Sequence, residues 1–251
     1  MSIPRKIVVV GGTGLIGSKV VSILTREGHQ AIVAVPSAGI NSVTGEGLAA
    51  ALAGAHAVID VSNIMSFDAS VVRNFFESSS RNLTAAEKDA GVHHHVVLSI
   101  VGADGLAGNP YMAGKVAQED EVKRSGQAYT VLRATQFFEF IPTLADAYTA
   151  DGTATVPATL FQPVAADDVA AALVETALRD PQNSTIQLAG PDRLLFADIV
   201  ATYLRGVNDT RRVTADASAS YFGSAVTKTS LVPTREASIG TISLNEWLER
   251  R

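Results

Sequence analysis

The chain has 251 residues, no cysteine and a formal net charge of −5, with 47% apolar and 18% charged residues. This composition excludes disulfides, thiolate metal sites and a cysteine nucleophile, and it argues against a disordered chain. The acidic balance gives no general footprint for nucleic acid or for an anionic membrane.

The amino-terminal segment predicts neither a secretory leader nor a membrane anchor. Its apolar run, Ile7–Val10, stops after four residues at a glycine cluster, whereas a signal peptide needs about 7–15 apolar residues. No other stretch approaches the roughly 20 apolar residues of a transmembrane helix. We therefore expect a cytoplasmic protein that acts on a small molecule and has neither a membrane nor a nucleic-acid partner.

The first part of the chain alternates β-branched runs with helical patterns. A strand is predicted over Ile7–Val10, which is apolar throughout, and a helix over Leu15–Arg26, whose apolar residues recur at helical spacing. The next elements are a strand over Ala31–Val35, a helix over Gly47–Ala53 and a strand over Ala57–Val61.

The alternation continues to about residue 190. The further predicted elements are a helix Ser70–Ala90, a strand Val96–Ile100, a helix Tyr111–Ser125, a strand Tyr129–Leu132, a helix Ala166–Arg179 and a strand Thr185–Leu188. Strands separated by helices predict an α/β fold with a parallel sheet and helices on both faces.

The last part of the chain is less regular. Helical patterns are visible over Phe196–Leu204 and Leu244–Arg250. We therefore predict one domain, residues 1–251, whose small carboxy-terminal lobe, built mainly from about 190–251, covers a substrate.

A glycine-rich turn joins the first strand to the first helix. Gly12, Gly14 and Gly17 fit the spacing G-x-G-x-x-G, and Gly11 starts the related spacing G-x-x-G-x-x-G. Such glycines permit a tight turn and a close approach of the main chain to a pyrophosphate, which the helix N-terminus attracts. The predicted phosphate-binding residues are Gly11, Gly12, Thr13, Gly14, Leu15, Ile16 and Gly17. The alternative is an ordinary glycine-rich turn.

The choice between NAD and NADP depends on the end of the second strand. An NAD site usually has Asp or Glu about 20 residues beyond the glycines, on the ribose 2′-hydroxyl. Ser37 is found there, with no acidic or basic neighbour. A serine can bond either nucleotide, and the lack of a carboxylate slightly favours NADP(H) over NAD(H).

Ser99, Tyr111 and Lys115 form a candidate catalytic group. Ser99 lies at the end of a predicted strand, and Tyr111 and Lys115 share one face of the next helix. A nearby ammonium lowers the pKa of a phenol, so Tyr111 can give a proton to a carbonyl oxygen that Ser99 also bonds. Lys115 can also reach the nicotinamide ribose. The alternative is an aromatic residue at a helix start and a solvated charge.

These motifs resemble the short-chain dehydrogenase/reductase superfamily, and more closely its atypical, NmrA-like NAD(P)-binding branch. The matching stretches are Val8–Gly17, Asn82–Ser99, Tyr111–Lys115, Tyr129–Phe137 and Gln162–Ala171. The resemblance extends over about the first 190 residues and implies a Rossmann-type, doubly wound core. Many members of this branch lack a working Tyr-x3-Lys pair, whereas this chain keeps it.

The resemblance also implies further cofactor contacts. Val61, Ser62 and Asn63 would flank the adenosine side, and Ala134 and Thr135 would face the nicotinamide. The superfamily occurs as monomers, dimers and tetramers, so a homo-oligomer is compatible with it.

Asn82 falls at the mid-helix position that helps a water chain reach the lysine in the superfamily. A polar residue on a solvated helix face is the alternative interpretation of Asn82.

Three functions remain open from the sequence. The first is an NAD(P)H-dependent reductase that acts on a carbonyl or quinone of a small apolar molecule, with Tyr111 as proton donor. The second is a non-catalytic nucleotide and redox sensor that binds a protein partner. The third is the reductase component of a two-component monooxygenase in aromatic polyketide tailoring.

Two polar clusters predict local structure rather than chemistry. His93-His94-His95 is interpreted as the lead-in to a strand, because no third metal ligand is evident nearby. Asp167 and Asp168 precede an Ala-rich helix, where carboxylates stabilise the N-terminus.

Overall fold

The computed structural model describes residues 3–66, 68–106 and 108–250. Within them the strands are β1 (Lys6–Val10), β2 (Gln30–Ala34), β3 (Ala57–Asp60), β4 (His94–Ile100), β5 (Tyr129–Ala134), β6 (Thr149–Ala150), β7 (Thr153–Pro157), β8 (Leu160–Phe161), β9 (Ser184–Ala189), β10 (Leu194–Leu195), β11 (Arg212–Asp216) and β12 (Ser238–Ile239). The helices are α1 (Leu15–Arg26), α2 (Leu48–Leu52), α3 (Ala69–Ala90), α4 (Pro110–Ser125), α5 (Ile141–Ala147), α6 (Ala166–Leu178), α7 (Phe196–Gly206) and α8 (Leu244–Glu249).

The central sheet has seven strands in the order β2-β1-β3-β4-β5-β9-β12. Strand β1 pairs in parallel with β2 on one side and β3 on the other, and β3 pairs in parallel with β4. The chain direction across the sheet therefore reverses between β1 and β3, and ligands of open α/β sheets bind at such a switch point. The predicted α/β class with a parallel, Rossmann-type sheet is confirmed.

Apolar side chains on β1 and β3 anchor this sheet. Val8, Val10 and Val58 form one buried cluster with Leu52 of α2 and Leu83 of α3. Strand β1 is buried along almost its whole length. Its packing therefore fixes the position of the glycine turn that follows it at the end of the strand.

Each predicted element has an observed counterpart whose ends lie within two residues of the predicted ends. The interpretation of the histidines as the lead-in to a strand needs correction. Strand β4 begins at His94, two residues before the predicted start at Val96. His94 and His95 lie inside the strand rather than before it, because their main chain pairs with Ala57 and Val58 of β3, and their rings are bonded to Thr130 and Glu87. Helix α5 and the short strands β6–β8 and β10–β12 have no counterpart in the predicted elements.

The chain divides into two compact units. The first contains the described residues within 1–99, 110–133 and 169–186, and the second those within 100–109, 134–168 and 187–251. The second unit contains an antiparallel pair, β8 with β10, and a three-stranded sheet in the order β11-β7-β6. The segment predicted as a lobe, about 190–251, belongs to the second unit, which also contains residues 100–109 and 134–168. Its role in covering a substrate stays a prediction.

Candidate functional site

The glycine turn is closed by main-chain contacts that leave no room for side chains. Gly11 has φ +79°, and a Cβ there would lie 2.8 Å from the carbonyl oxygen of Val61. A Cβ on Gly17 would overlap the carbonyl oxygen of Gly11 and lie 2.7 Å from the Cα of Gly12. The turn therefore keeps its shape only while these positions are glycine.

Helix α1 presents an uncapped N-terminus at this turn. Its cap residue, Gly14, is extended and forms no side-chain capping bond, and the first turn contains no acidic residue. Thr13, Gly14 and Leu15 are exposed, whereas Ile16 and Gly17 are buried. The positive dipole end of the helix thus lies, without a side-chain cap, next to a bare main-chain turn, which suits a diphosphate.

The segment after β3 lies against the glycine turn, as the close approach of Gly11 to Val61 shows. Asp60, at the end of β3, is fully buried, and its Oδ1 accepts a hydrogen bond from the main-chain N–H of Ser62 at 2.9 Å. Asn63 is exposed next to it. The structure therefore places Val61 and Ser62 against Gly11 of the predicted phosphate turn, and Asn63 follows them in the chain.

Ser37 lies on an exposed 3-10 turn, Pro36–Ala38, directly after β2. The loop that follows, residues 35–47, contains no lysine or arginine. The Ser37 hydroxyl is thus exposed, and its part in selecting between NAD and NADP stays a prediction.

Asn82 is partly buried and attaches α3 to the loop that follows Ser37. Its Nδ2 donates to the carbonyl oxygens of Ser42 at 3.0 Å and Val43 at 2.7 Å. The interpretation of Asn82 as a solvated residue is therefore wrong, because the side chain is fixed by two main-chain acceptors. Its part in a water chain stays a prediction.

Tyr111 and Lys115 lie one turn apart on α4 and contact the same ring of α3. The Tyr111 ring meets Phe76 edge-on with centroids 6.0 Å apart, and the Lys115 Nζ is 4.8 Å from the Phe76 centroid. Gly114 allows this close packing, since a Cβ there would lie 2.5 Å from Val72 Cγ1. The absence of a side chain at Gly114 thus brings the phenol and the ammonium against one aromatic residue.

Burial moves the pKa values of both groups. It raises the pKa of Tyr111 to about 12. It lowers the pKa of Lys115 to about 8, although the carboxylates of Asp60 and Glu119 oppose this shift. The expectation that Lys115 lowers the pKa of the Tyr111 phenol is therefore wrong for this structure, because desolvation dominates.

Ser99 is buried and its hydroxyl donates to Glu119 Oε1 at 2.6 Å. Glu119 also accepts two hydrogen bonds from Arg133, at 2.8 and 2.9 Å, and one from Lys123 at 2.8 Å. Burial alone would raise the pKa of Glu119, but the bonds from Arg133, Lys123 and Ser99 outweigh it and lower the pKa. The proton that Ser99 was expected to offer a substrate is thus donated to a buried carboxylate.

Ala134, the last residue of β5, and Thr135, which follows it, belong to the second unit, and both are buried. The Ala134 carbonyl accepts the N–H of Val101 at 2.9 Å, and the Thr135 N–H donates to Leu188 at 3.0 Å. The Thr135 hydroxyl has no hydrogen-bond partner among the described residues. Their orientation toward a nicotinamide stays a prediction.

The two polar clusters have local partners. His94 and His95 bond Thr130 and Glu87 inside the first unit, and the described residues contain no group of three or more side chains placed to hold a metal ion. Asp167 and Asp168 lie in the first turn of α6, as predicted. None of the helices in the described ranges is long and apolar enough to cross a bilayer.

Comparison with protein families relates the chain to nucleotide-binding proteins. The profile of the NAD(P)H-binding family matches residues 11–181, which begin at the glycine turn and end after α6. The chain belongs to this family. The resemblance to the NmrA-like branch of the atypical short-chain dehydrogenases/reductases is thereby confirmed.

The chain is also similar to a curated protein that is named as an assembly factor. The chain is 28% identical over 148 residues, 53% of its length, to the photosystem II assembly factor Ycf39 of Synechocystis sp.. The match spans 45% of that relative, so the chain corresponds to less than half of it.

Solved structures of sugar-nucleotide enzymes share the fold. The dTDP-4-dehydrorhamnose reductase of Bacillus anthracis, in complex with NADP, has a TM-score of 0.72 at 14% identity, over 100% of this chain and 98% of that chain. TunA, an NAD-dependent NDP-hexosamine 5,6-dehydratase of tunicamycin biosynthesis, has a TM-score of 0.70 at 18% identity, over 98% and 95% of the two chains. At such identities the likeness concerns the fold alone.

Proposed function

We propose that this protein is an NAD(P)H-dependent reductase of a carbonyl or quinone in a small apolar molecule, with Tyr111 as the proton donor. The observation that carries the proposal is the joint packing of Tyr111 and Lys115 on Phe76, in a chain that belongs to the NAD(P)H-binding family. A sensor would need the turn but would not need this pair.

The residues present fit a nicotinamide dinucleotide. The bare turn at Gly11–Gly17 and the uncapped end of α1 would hold the pyrophosphate, and Val61, Ser62 and Asn63 would flank the adenosine. Lys115 would bond the nicotinamide ribose, with Ala134 and Thr135 facing the ring. When bound, the reduced nicotinamide supplies the hydride.

Tyr111 acts in this proposal as an acid rather than a base. A phenol whose pKa is about 12 stays protonated throughout the physiological range. It can therefore donate its proton to the substrate oxygen as negative charge develops there. Lys115, on the same helix face, would favour the phenolate that remains.

The nucleotide is proposed to be NADP(H) slightly in preference to NAD(H). The selecting position holds Ser37, which is exposed, and not an aspartate or glutamate. A 2′-phosphate there would meet no negative side chain at that position. Separate titrations with NADPH and NADH measure this preference directly, and a clearly tighter Kd for NADH would reverse it.

The experiment that tests the activity is NAD(P)H oxidation, followed at 340 nm, across a panel of apolar carbonyl compounds and quinones. We expect turnover with at least one member of the panel. Tight nucleotide binding without oxidation of any member would favour the second candidate, a nucleotide-binding factor that acts on a protein partner.

One observation supports this second candidate. The curated relative Ycf39 is named as an assembly factor, although the match spans less than half of it. In such a protein the Ser99 hydroxyl would remain on Glu119, as the structure has it. A pull-down that depends on added NADPH would support the assembly role.

A further inference from the structure

A buried hydrogen-bond relay connects Lys115 with the segment after β3. The Lys115 Nζ donates to Oε1 of Gln118, one turn further along α4. Gln118 Nε2 donates to Asp60 Oδ2 at 2.9 Å. Asp60 Oδ1 in turn accepts the N–H of Ser62 at 2.9 Å. A charged side chain on α4 is thus joined, through one amide and one carboxylate, to the main chain beside the glycine turn.

The chemistry of its two ends fixes the orientation of the relay. Gln118 and Asp60 are fully buried, and Lys115 is 4% exposed. An ammonium can only donate and a carboxylate can only accept, so the Gln118 amide has one orientation that satisfies both. Because water cannot replace a lost partner at these depths, the three side chains hold one another in place.

The charges around Lys115 come from two elements. Asp60 approaches from β3 and Glu119 from α4 itself, and α3 contributes the uncharged ring of Phe76. Glu119 is already bonded to Arg133 and Lys123. Asp60 is therefore the counter-charge that the relay links to Lys115.

We propose that Gln118 and Asp60 are positioning residues for Lys115: they hold its ammonium against Phe76 and keep it charged next to the nucleotide and Tyr111. This inference rests on the proposed function, because it assigns Lys115 a part in reduction. It adds two residues that the motif spacing does not reveal, and it couples the lysine to the segment that flanks the adenosine.

Two substitutions that remove different parts of the relay test it. Asp60→Asn removes the counter-charge and keeps a side chain of the same shape, so Lys115 should lose its proton at lower pH. Gln118→Met keeps a side chain of similar length but removes the bonds to the ammonium and to Asp60, so the proton should again leave at lower pH. Because burial lowers the pKa of Lys115 to about 8, loss of its proton should set the alkaline limb of the kcat profile, and this limb should move down by about one pH unit in each variant.

The phenol does not interfere with this readout, because the pKa of Tyr111 is about 12 and lies well above the limb. Gln127→Met is the matched control, since Gln127 is a buried glutamine that donates to the Val92 carbonyl at 2.7 Å, outside the relay. It should leave the limb where it is. An upward shift, or no shift, in the Asp60 and Gln118 variants would overturn the inference.

A second measurement separates the relay from the proposed function. The Lys115 ammonium can be titrated by NMR in protein with labelled lysine, with Lys115→Met identifying its signal. A lower pKa of Lys115 in both variants supports the relay even when no substrate is reduced, an outcome that would count against the reductase alone. An unchanged Lys115 titration in both variants refutes the relay whether or not the protein is an enzyme. If Asp60→Asn does not fold, Gln118→Met decides by itself.

Discussion

The glycine turn is formed mainly by main-chain contacts, whereas the surroundings of Tyr111 on α4 are formed by side chains. The turn is held by main-chain contacts that a Cβ at Gly11 or Gly17 would disrupt, and three of its residues, Thr13 to Leu15, are exposed to solvent. Around Tyr111 the structure is made of buried side chains, and each of the charged ones is bonded to another, from Lys115 through Gln118 to Asp60 and from Ser99 through Glu119 to Arg133.

This contrast separates binding from chemistry. A turn that offers N–H groups binds a diphosphate with few side chains, so it is common to many functions of the family. Proton transfer depends on groups whose pKa values are set by burial and by partners. Substitution of Tyr111 should therefore affect turnover, and substitution of Gly17 nucleotide affinity, whereas Ser99 and Asn82 should contribute mainly to stability.

The largest effect is expected from Tyr111→Phe. Loss of the phenol should reduce kcat by roughly 10²- to 10⁴-fold, the usual contribution of a positioned acid, while the Kd for NADPH stays nearly constant. Single-turnover oxidation of NADPH and calorimetric titration measure the two quantities. Near-normal turnover in this variant would remove Tyr111 from the mechanism.

Gly17→Ala should act on the other region. A methyl group at this position overlaps the Gly11 carbonyl, so the turn must open, and strain of about 1.4 kcal/mol or more corresponds to a tenfold or greater loss of NADPH affinity. Gly105→Ala is the control, since a Cβ there meets no atom within 4 Å. Unchanged affinity in Gly17→Ala would place the nucleotide elsewhere.

Ser99→Ala distinguishes a substrate bond from a structural one. With its hydroxyl on Glu119, we expect a loss of about 2 kcal/mol in the free energy of unfolding and only a small change in kcat, because Arg133 and Lys123 still satisfy the carboxylate. Denaturant unfolding and steady-state kinetics provide both values. A hundredfold fall in kcat at unchanged stability would show instead that Ser99 turns toward the substrate oxygen.

The smallest effect is expected from Asn82→Ala. The variant loses two bonds to the 42–43 main chain, which should lower the free energy of unfolding by about 1 kcal/mol. We expect kcat to fall by far less than the roughly hundredfold that a part in proton transfer would cost. A loss of that size would restore the water chain as the role of Asn82.

The sequence predicts the turn well because its information is local. The run Ile7–Val10, the glycine spacing and the helix Leu15–Arg26 follow one another along the chain, and the observed helix has the predicted bounds. Each glycine acts through its own missing side chain, so no distant partner has to be known.

The buried region could be predicted only in part. Spacing brings Tyr111 and Lys115 to one helix face, but the partner of Ser99 lies 20 residues away at Glu119, and Asp60 reaches Gln118 across 58 residues. Such pairs depend on the register of the sheet and on helix packing. The same reason explains why strands β7 and β11, parallel neighbours from distant parts of the chain, lack a local signal.

A crystal structure of the protein grown with NADPH tests the central claim most directly. We predict the diphosphate on the main-chain N–H groups at the start of α1, against Gly11 to Gly17, and the nicotinamide within reach of the Tyr111 hydroxyl. A nucleotide bound away from this turn, or one whose nicotinamide lies far from Tyr111, would contradict the account.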